Sequence, residues 1–496
     1  MDAAESENQP ETFVANYRRA LTNQTLQRAL SNATDKALDA RQSAIENVGE
    51  TSWEALRKRA RAIKEHSINH LDYYLETFAA NVERRGGNVY WASDAAQASQ
   101  YVMRLARERG INVAVKGKSM MTEEIGLNRS LIEAGIDAVE TDLGEYIVQM
   151  AGERPSHINM PAIHKTRGDV ADLFTKKLHV DRTEEISRMT ALARGVLRQR
   201  FIEAGMGITG VNYAVAETGT IVLVENEGNI RMSTSLPRVH VAIMGLEKVI
   251  PKVADLDVFL KLLSRSASGQ KMCSYVSFLT GVKQSIHEEG PDEFHVIILD
   301  NGRVNMLANP HLRESLYCIR CGACLNVCPV YQKIGGHAYG WVYPGPIGAI
   351  LTPQMIGRER AADLPFASSL CGACRDVCPI KINIPDMLLH LRHEIKESGM
   401  DQPARVSFKK RMNNLVEHTA CKIWLAAMKD SRRYMHAARL SRLVQRIFGR
   451  KGRDGVRALS VPGWSRYREL PPVAARSFRE RWPDISDEKQ NGRADR

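Results

Sequence analysis

The sequence predicts an α/β domain with a largely parallel sheet, followed by a smaller, mainly helical domain built around cysteines, with helical extensions at both ends. Three observations carry this. From about residue 88 to 300, short β-rich runs alternate with helical ones, the pattern of strands joined by crossover helices. Seven of the nine cysteines fall between residues 318 and 378, in two tight groups. The first 75 or so residues place apolar side chains at three- and four-residue spacing, with polar ones between.

A chain of 496 residues exceeds one ordinary core, so several domains are expected. The boundaries read as a helical N-terminal region over 1–75, the α/β domain over 76–300, the cysteine-bearing domain over 305–400 and a basic region over 401–496. Hydrophobic content of 44% and charged content of 25% suit a globular chain. No apolar run reaches the roughly 18–20 residues of a membrane-spanning helix. The opening "MDAAESENQPETF" lacks the basic start and apolar stretch of a secretory signal, so a cytoplasmic location is expected.

Residues 1–75 and the run up to Gly86-Gly87 read as amphipathic helices. The strand-like runs that follow are "NVYWA", "NVAVKG", "DAVET", "HINMPAI", "NYAVAETGTIVLVENEG", "HVAIMG" and "FHVIILDNG". Functional groups of such a domain are expected at the carboxyl ends of its strands. Lys116, Lys118 and Ser119 follow one strand, and Glu140, Asp142 and Glu145 follow another. Glu217 and Thr218 lie in a strand-rich run. Together they are candidates for an anion or acid/base site, although turn chemistry and surface charge more commonly account for such residues. His157 and His164 are candidate ligands on the same terms. "GMGITG" (Gly205, Gly207, Gly210) matches a dinucleotide fingerprint by letter. Its context is wrong, because a helical run precedes it and a strand-like run follows it.

Residues 401–496 hold 23 Lys and Arg against 10 Asp and Glu, so the net charge of +12 resides in this segment. Such a surface suits docking to an acidic subunit or an anionic membrane. Within it, "SRRYMHAARLSRLVQRIFGR" is amphipathic, with Leu440, Leu443, Val444, Ile447 and Phe448 on one face. The last forty residues read as extended. Too few aromatics are placed for base stacking, so no nucleic-acid partner is expected.

"CIRCGACLNVCP" has the C-x2-C-x2-C-x3-C-P spacing of bacterial ferredoxins. Cysteines separated by two residues let one tight loop aim three sulfurs at a small inorganic cube, and Gly-Ala after the second cysteine lets the backbone approach it. "SSLCGACRDVCP" repeats the motif with three cysteines, and Ser368 stands where the fourth would be. In two-cluster proteins the last cysteine of each motif serves the other cluster. Cluster 1 is then held by Cys318, Cys321, Cys324 and Cys378, and cluster 2 by Cys328, Cys371 and Cys374. The fourth corner of cluster 2 takes the Ser368 oxygen, water or another side chain, or lacks its iron, leaving [3Fe–4S]. The 42 residues between Cys328 and Cys371 are too many for a hairpin and partly helical, which points to an α-helical ferredoxin. Structural zinc fits the spacing poorly. Cys273 and Cys421 stand apart and read as buried or idle thiols.

"KGKSM", "ETDLGEYI", "AETGTIVLVENEGN" and "GPDEFHVIILDNGR" are similar to the LUD (lactate utilisation) domain. Followed by the two cysteine motifs, they resemble the lactate utilisation B family, iron–sulfur subunits of a bacterial L-lactate oxidising complex. The resemblance implies two [4Fe–4S] clusters, with Ser368 no departure from the family's three-cysteine second motif. It implies a LUD fold similar to sugar-isomerase and CoA-transferase domains. It also implies two partners, a cysteine-rich subunit and a second, smaller LUD protein, and electrons drawn from L-lactate as it becomes pyruvate, allowing growth on lactate. The residues themselves show no flavin or nicotinamide motif, whereas a two-electron oxidation of a hydroxy acid calls for a hydride acceptor. An electron-transfer subunit is therefore expected rather than a stand-alone enzyme. The alternative is an enzyme whose α/β domain performs acyl-transfer or isomerase chemistry, with the clusters as redox sensors.

Overall fold

The computed structural model describes residues 13–285, 287–401, 408–451, 457–458 and 473–491. The chain divides into two compact units, Met1–Glu397 and Ser398–Arg496.

Among the described residues, the first unit contains ten strands: β1 (Asn88–Ala92), β2 (Val113–Lys116), β3 (Asp137–Glu140), β4 (Met206–Gly210), β5 (Tyr213–Val215), β6 (Thr220–Glu225), β7 (Val239–Gly245), β8 (Val249–Ile250), β9 (Tyr275–Leu279) and β10 (Glu293–Leu299). Six of them form a sheet in the order β1-β10-β7-β4-β2-β3, parallel throughout. Both faces are covered, as a parallel sheet requires. Along β10, Phe294, Val296 and Ile298 enter one core while Ile297 and Leu299 enter another. On β2 and β3, Ala114 and Ala138 face that second core, and Val115 and Val139 face a third beneath the helices Arg167–Leu178 and Ile186–Glu203. The other four strands make a small sheet, β8-β5-β6-β9, built on the antiparallel β5–β6 hairpin.

Four helices precede β1: Phe13–Thr22, Gln24–Glu46, Glu50–Asn69 and Leu71–Arg84. They share one continuous core with the small sheet and the cysteine-bearing segment, joining Leu30, Trp53 and Phe78 to Tyr213, Leu325 and Tyr331. The cysteine segment is helical in short pieces, including Ala323–Asn326, Tyr331–Ile334, Gly345–Met355 and Ala373–Val377.

The expected strands over "NVYWA", "NVAVKG", "DAVET", "NYAVAETGTIVLV", "HVAIMG" and "FHVIIL" are present. "HINMPAI" is a turn instead, because the His157 ring takes two backbone N–H groups, from Asn159 and Met160, and curls the chain. "GMGITG" carries β4, one of the central strands. Its glycines serve close packing: a Cβ on Gly207 would lie 1.7 Å from the Ser233 carbonyl oxygen, and one on Gly210 2.6 Å from Ser119 Oγ.

In the second unit, the described helices are Phe408–Met428, Ser431–Phe448 and Phe478–Asn491. The last of these corrects the expectation of an extended tail over those residues; the stretch 459–472 lies outside the described ones. Arg442 binds Glu480 with two parallel bonds of 2.9 and 3.0 Å. Leu440, Leu443, Ile447 and Phe448 are exposed, and Val444 is half-buried. Among the described residues no helix is long and apolar enough to cross a membrane.

Candidate metal centre

The two cysteine loops adopt the same backbone course. Each takes a left-handed turn just before its Cys-Gly-Ala-Cys, at Arg320 (φ 58°) and Leu370 (φ 54°), and another at the glycine within it, Gly322 (φ 74°) and Gly372 (φ 87°). Alternation into the left-handed region makes successive N–H groups converge on a concave, anion-binding surface. Glycine supplies one of those turns at no steric cost; Arg320 and Leu370 are held there by their surroundings. The equivalence extends to the departing residue. Arg320 N–H points to Cys318 Sγ at 3.4 Å, and Leu370 N–H donates to Ser368 Oγ at 3.1 Å. The serine hydroxyl therefore takes the place in the second loop that the Cys318 sulfur takes in the first.

The sulfurs fall into two groups that cross between motifs. Cys318, Cys321, Cys324 and Cys378 surround a small apolar cavity, closed by Ile158, Ile319, Ile347, Ile380, Ile382 and Ile384. Burial raises the Cys321 thiol, and the neighbouring Cys378 and Cys318 raise it further. Burial, against an N–H from Ile382, pushes Cys378 up to about 11. In the second group, burial and Cys328 push Cys374 up to about 12, while burial and Cys371 raise Cys328. Sulfurs packed this way hold protons unless a cation sits among them; iron would let them act as thiolates. The groups differ in exposure. Cys321, Cys324 and Cys378 are buried, whereas Cys371 is open to solvent, its thiol lowered by the Ala373 N–H and the Ser369 hydroxyl. The residues thus fit an iron–sulfur cofactor, with converging sulfurs, an apolar cage and inward N–H groups.

Residues far away in sequence hold the loops. Arg57 donates to the Cys378 carbonyl at 2.7 and 3.0 Å and to the Asp376 carbonyl at 2.7 Å. Arg41 reaches the Val377 carbonyl and Arg61 the Lys381 carbonyl. From the α/β side, the Asn159 amide donates to the Cys321 carbonyl, and His157 Nε2–H donates to Asn326 Oδ1 at 3.0 Å. With Nδ1 accepting and Nε2 donating, His157 is a neutral, fully buried brace, its pKa lowered to about 3 by burial. It does not join His164, which lies with Glu153 and His337, ligand atoms within 4.8 Å of one another. Glu153 there is already engaged by His164 and Lys165.

The carboxyl edge of the large sheet abuts the first loop through a buried ionic chain. Arg320 Nη2 meets Glu247 Oε1 at 3.2 Å, just after β7. Glu247 Oε2 accepts from Arg303 Nε at 2.6 Å, just after β10, and Arg303 pairs with both oxygens of Glu124 at 2.8 Å. Tyr343 O–H completes the chain on Glu124 at 2.7 Å. Burial pushes the Glu247 carboxyl up, but Arg303 and Arg320 outweigh it and hold it at about 2. Of these residues only Arg320 carries a sequence signal, its place between Cys318 and Cys321; Arg41, Arg57, Glu124, Glu247 and Arg303 carry none.

The candidates at the strand ends separate. Lys116 and Glu140 form a buried pair at 2.5 Å, with Glu145 nearby and its carboxyl raised by burial and Glu140. Ser119 and Asp142 cap helices, accepting from Thr122 N–H and Glu145 N–H. Glu217 is exposed in the β5–β6 turn, where it accepts from Val253 N–H, and Thr218 bonds Thr220 beside it. Lys118, Ser119 and Asp142 line a cavity of about 660 Å³ at the carboxyl ends of β2 and β4, shared with Cys273.

The chain matches the LUD domain family over residues 75–299 and the 4Fe-4S dicluster domain family over residues 314–382. Cysteine loops of this geometry beside a parallel sheet, together with those matches, define an iron–sulfur protein with an α/β LUD domain and a helical cluster domain. The chain belongs to the lactate utilization protein B family. It is 45% identical over 386 residues to lactate utilization protein B of Shouchella clausii, covering 78% of this chain and 81% of that one. It is 40% identical over 475 residues to that of Oceanobacillus iheyensis, 96% of each chain. It is also 39% identical over 482 residues to the Escherichia coli protein named "uncharacterized electron transport protein YkgF", 97% of this chain and 98% of that one.

Proposed function

We propose that this chain passes electrons between partner proteins through two iron–sulfur clusters, as a subunit of a complex that oxidises L-lactate to pyruvate and supports growth on lactate. The observation that carries the reading is the crossing of sulfurs between motifs, Cys378 with Cys318, Cys321 and Cys324, and Cys328 with Cys371 and Cys374. Such crossing holds two clusters side by side in one rigid segment, the arrangement a relay needs. When bound, [4Fe–4S] clusters supply one-electron storage at each site. The chain's own residues set the direction of use. The first group is caged and braced by Arg41, Arg57 and Asn159; the second reaches solvent at Cys371, where a partner docks. At the fourth corner of the second group we place the Ser368 hydroxyl. An oxygen donor is harder than a thiolate and binds iron more weakly, so that corner is the labile one.

Partners on this reading are a cysteine-rich subunit and a smaller LUD protein. The protein is cytoplasmic, with the basic region over 401–496 as its contact to a partner or the inner membrane face. The test is electron paramagnetic resonance of anaerobically purified full chain, oxidised and reduced. Two interacting reduced clusters are expected, with no lactate turnover by the isolated chain. A colourless protein holding zinc and no inorganic sulfide would overturn the proposal.

A further inference from the structure

The buried ionic chain beside the first cysteine loop does not balance. Its two carboxylates, Glu124 and Glu247, are shared among Arg303, Arg320 and Lys248, all buried. Lys64, buried as well, donates to the Glu247 carbonyl. Cations therefore outnumber carboxylates, and a buried charge without a counter-charge is costly. Arg320 Nη1 is buried with no hydrogen-bond partner among the described residues, and such a group calls for an acceptor.

Thiolates on a cluster supply that anion. Arg320 stands between Cys318 and Cys321 in the chain and lines the cage of the first sulfur group. Its guanidinium lies 4.8 Å over the Tyr343 ring and 3.2 Å from Glu247, which fix it in place. Burial works against its charge, and Cys318 is foremost among the groups that outweigh burial and raise its pKa. Burial lowers Lys248 to about 8, with Glu247 and Cys318 favouring its charge and Arg320 and Arg303 opposing it, so Lys248 is charged at neutral pH. The second sulfur group has its charges in water instead. Arg375 and Asp376, just after Cys374, are both more than half exposed, so solvent and salt screen them.

We propose that Arg320 and Lys248 raise the reduction potential of the cluster held by Cys318, Cys321, Cys324 and Cys378, so that it accepts an electron more readily than its thiolates alone would allow. The inference rests on the relay proposed above and goes beyond it to what tunes one of its two stations. Reduction adds one electron to the cage and neither makes nor breaks a bond. That electron comes from the second cluster or from a one-electron centre of a partner. Net charge and hydrogen bonds around the sulfurs set such potentials, and a fixed cation beside an apolar cage acts more strongly on the added charge than one in water. Arg320 and Lys248 act through charge alone and ligate no iron.

The experiment is a redox titration of the anaerobic full chain with dithionite at about pH 7, followed by paramagnetic resonance. Arg320→Met should lower one cluster's midpoint by at least about 60 mV, a tenfold loss in its one-electron equilibrium, and leave the other's nearly unmoved. The midpoint that moves should be the one still seen in Cys371→Ser, which removes a ligand of the second group only. Arg320→Lys keeps the charge and should restore most of the loss. Lys248→Met should lower the same midpoint, and it keeps the test open should Arg320→Met not fold. Glu247→Gln removes the opposing charge and should raise that midpoint, a sign that loosened packing would not give. Three outcomes would overturn the proposal: midpoints unmoved in both methionine variants, equal shifts of both clusters, or a lower midpoint in Glu247→Gln. Clusters present with unmoved midpoints leave the relay standing, whereas a chain that holds no cluster ends both readings.

Discussion

At the scale of single residues, Ser368 is the most informative position. Its hydroxyl receives the Leu370 N–H as Cys318 sulfur receives that of Arg320, so it has the same local place in its turn, with oxygen for sulfur. Ser368→Cys should give a second cluster that keeps four irons on brief exposure to air. Ser368→Ala should convert more readily to the three-iron form, read as its signal in oxidised protein. If both variants behave as the parent, the hydroxyl is not at the corner. The cysteines themselves were legible because their spacing is the chemistry. Ser368 was legible only as a gap, since a serine acquires meaning from the turn that aims it. Arg41 and Arg57 were not legible at all, because an arginine in an amphipathic helix looks like solvent-facing charge until the segment it clamps, some 320 residues later, is in place.

At the scale of elements, loops after three different strands and one cysteine loop are tied by Glu124, Arg303, Glu247 and Arg320. Breaking a buried pair leaves a charge unmatched, so Glu247→Gln should cost about 3–5 kcal/mol at neutral pH. The sign follows from the depressed carboxyl. With an ordinary unfolded value of about 4.3 and a folded value of about 2, its contribution is full above the first and lost as pH falls through the second. The stability gap between parent and variant, from anaerobic denaturant titrations, should narrow as pH falls below about pH 4. Elements were readable where apolar runs were long, as in β7 and β10. They were misread where local polar chemistry competed: "HINMPAI" alternates like a strand, but the His157 ring captures its backbone. β4 was hidden by glycines whose absent side chains admit the Ser233 carbonyl.

At the scale of the whole molecule, the cysteine-bearing segment shares its core with the N-terminal helices, because the main core of the first unit runs from Leu30 through Phe78 to Tyr331. Chelating iron from the reduced protein should therefore lower the melting temperature of the N-terminal helices as well, seen as earlier protease cleavage between residues 13 and 84. Survival of those helices at the original temperature would show that the segments fold separately. The second unit presents Leu440, Leu443, Ile447 and Phe448 beside its arginines, and the sequence had marked that face from periodicity alone. The clamp of Arg57 on the second cysteine loop, at the Asp376 and Cys378 carbonyls, has a further consequence for how the protein is made. The cage around Cys318 takes the sulfur of Cys378, which leaves the ribosome well after it, and the loop carrying that sulfur is held by Arg41 and Arg57, from helices that left first. Iron and sulfide can therefore enter that cage only once residue 378 has emerged.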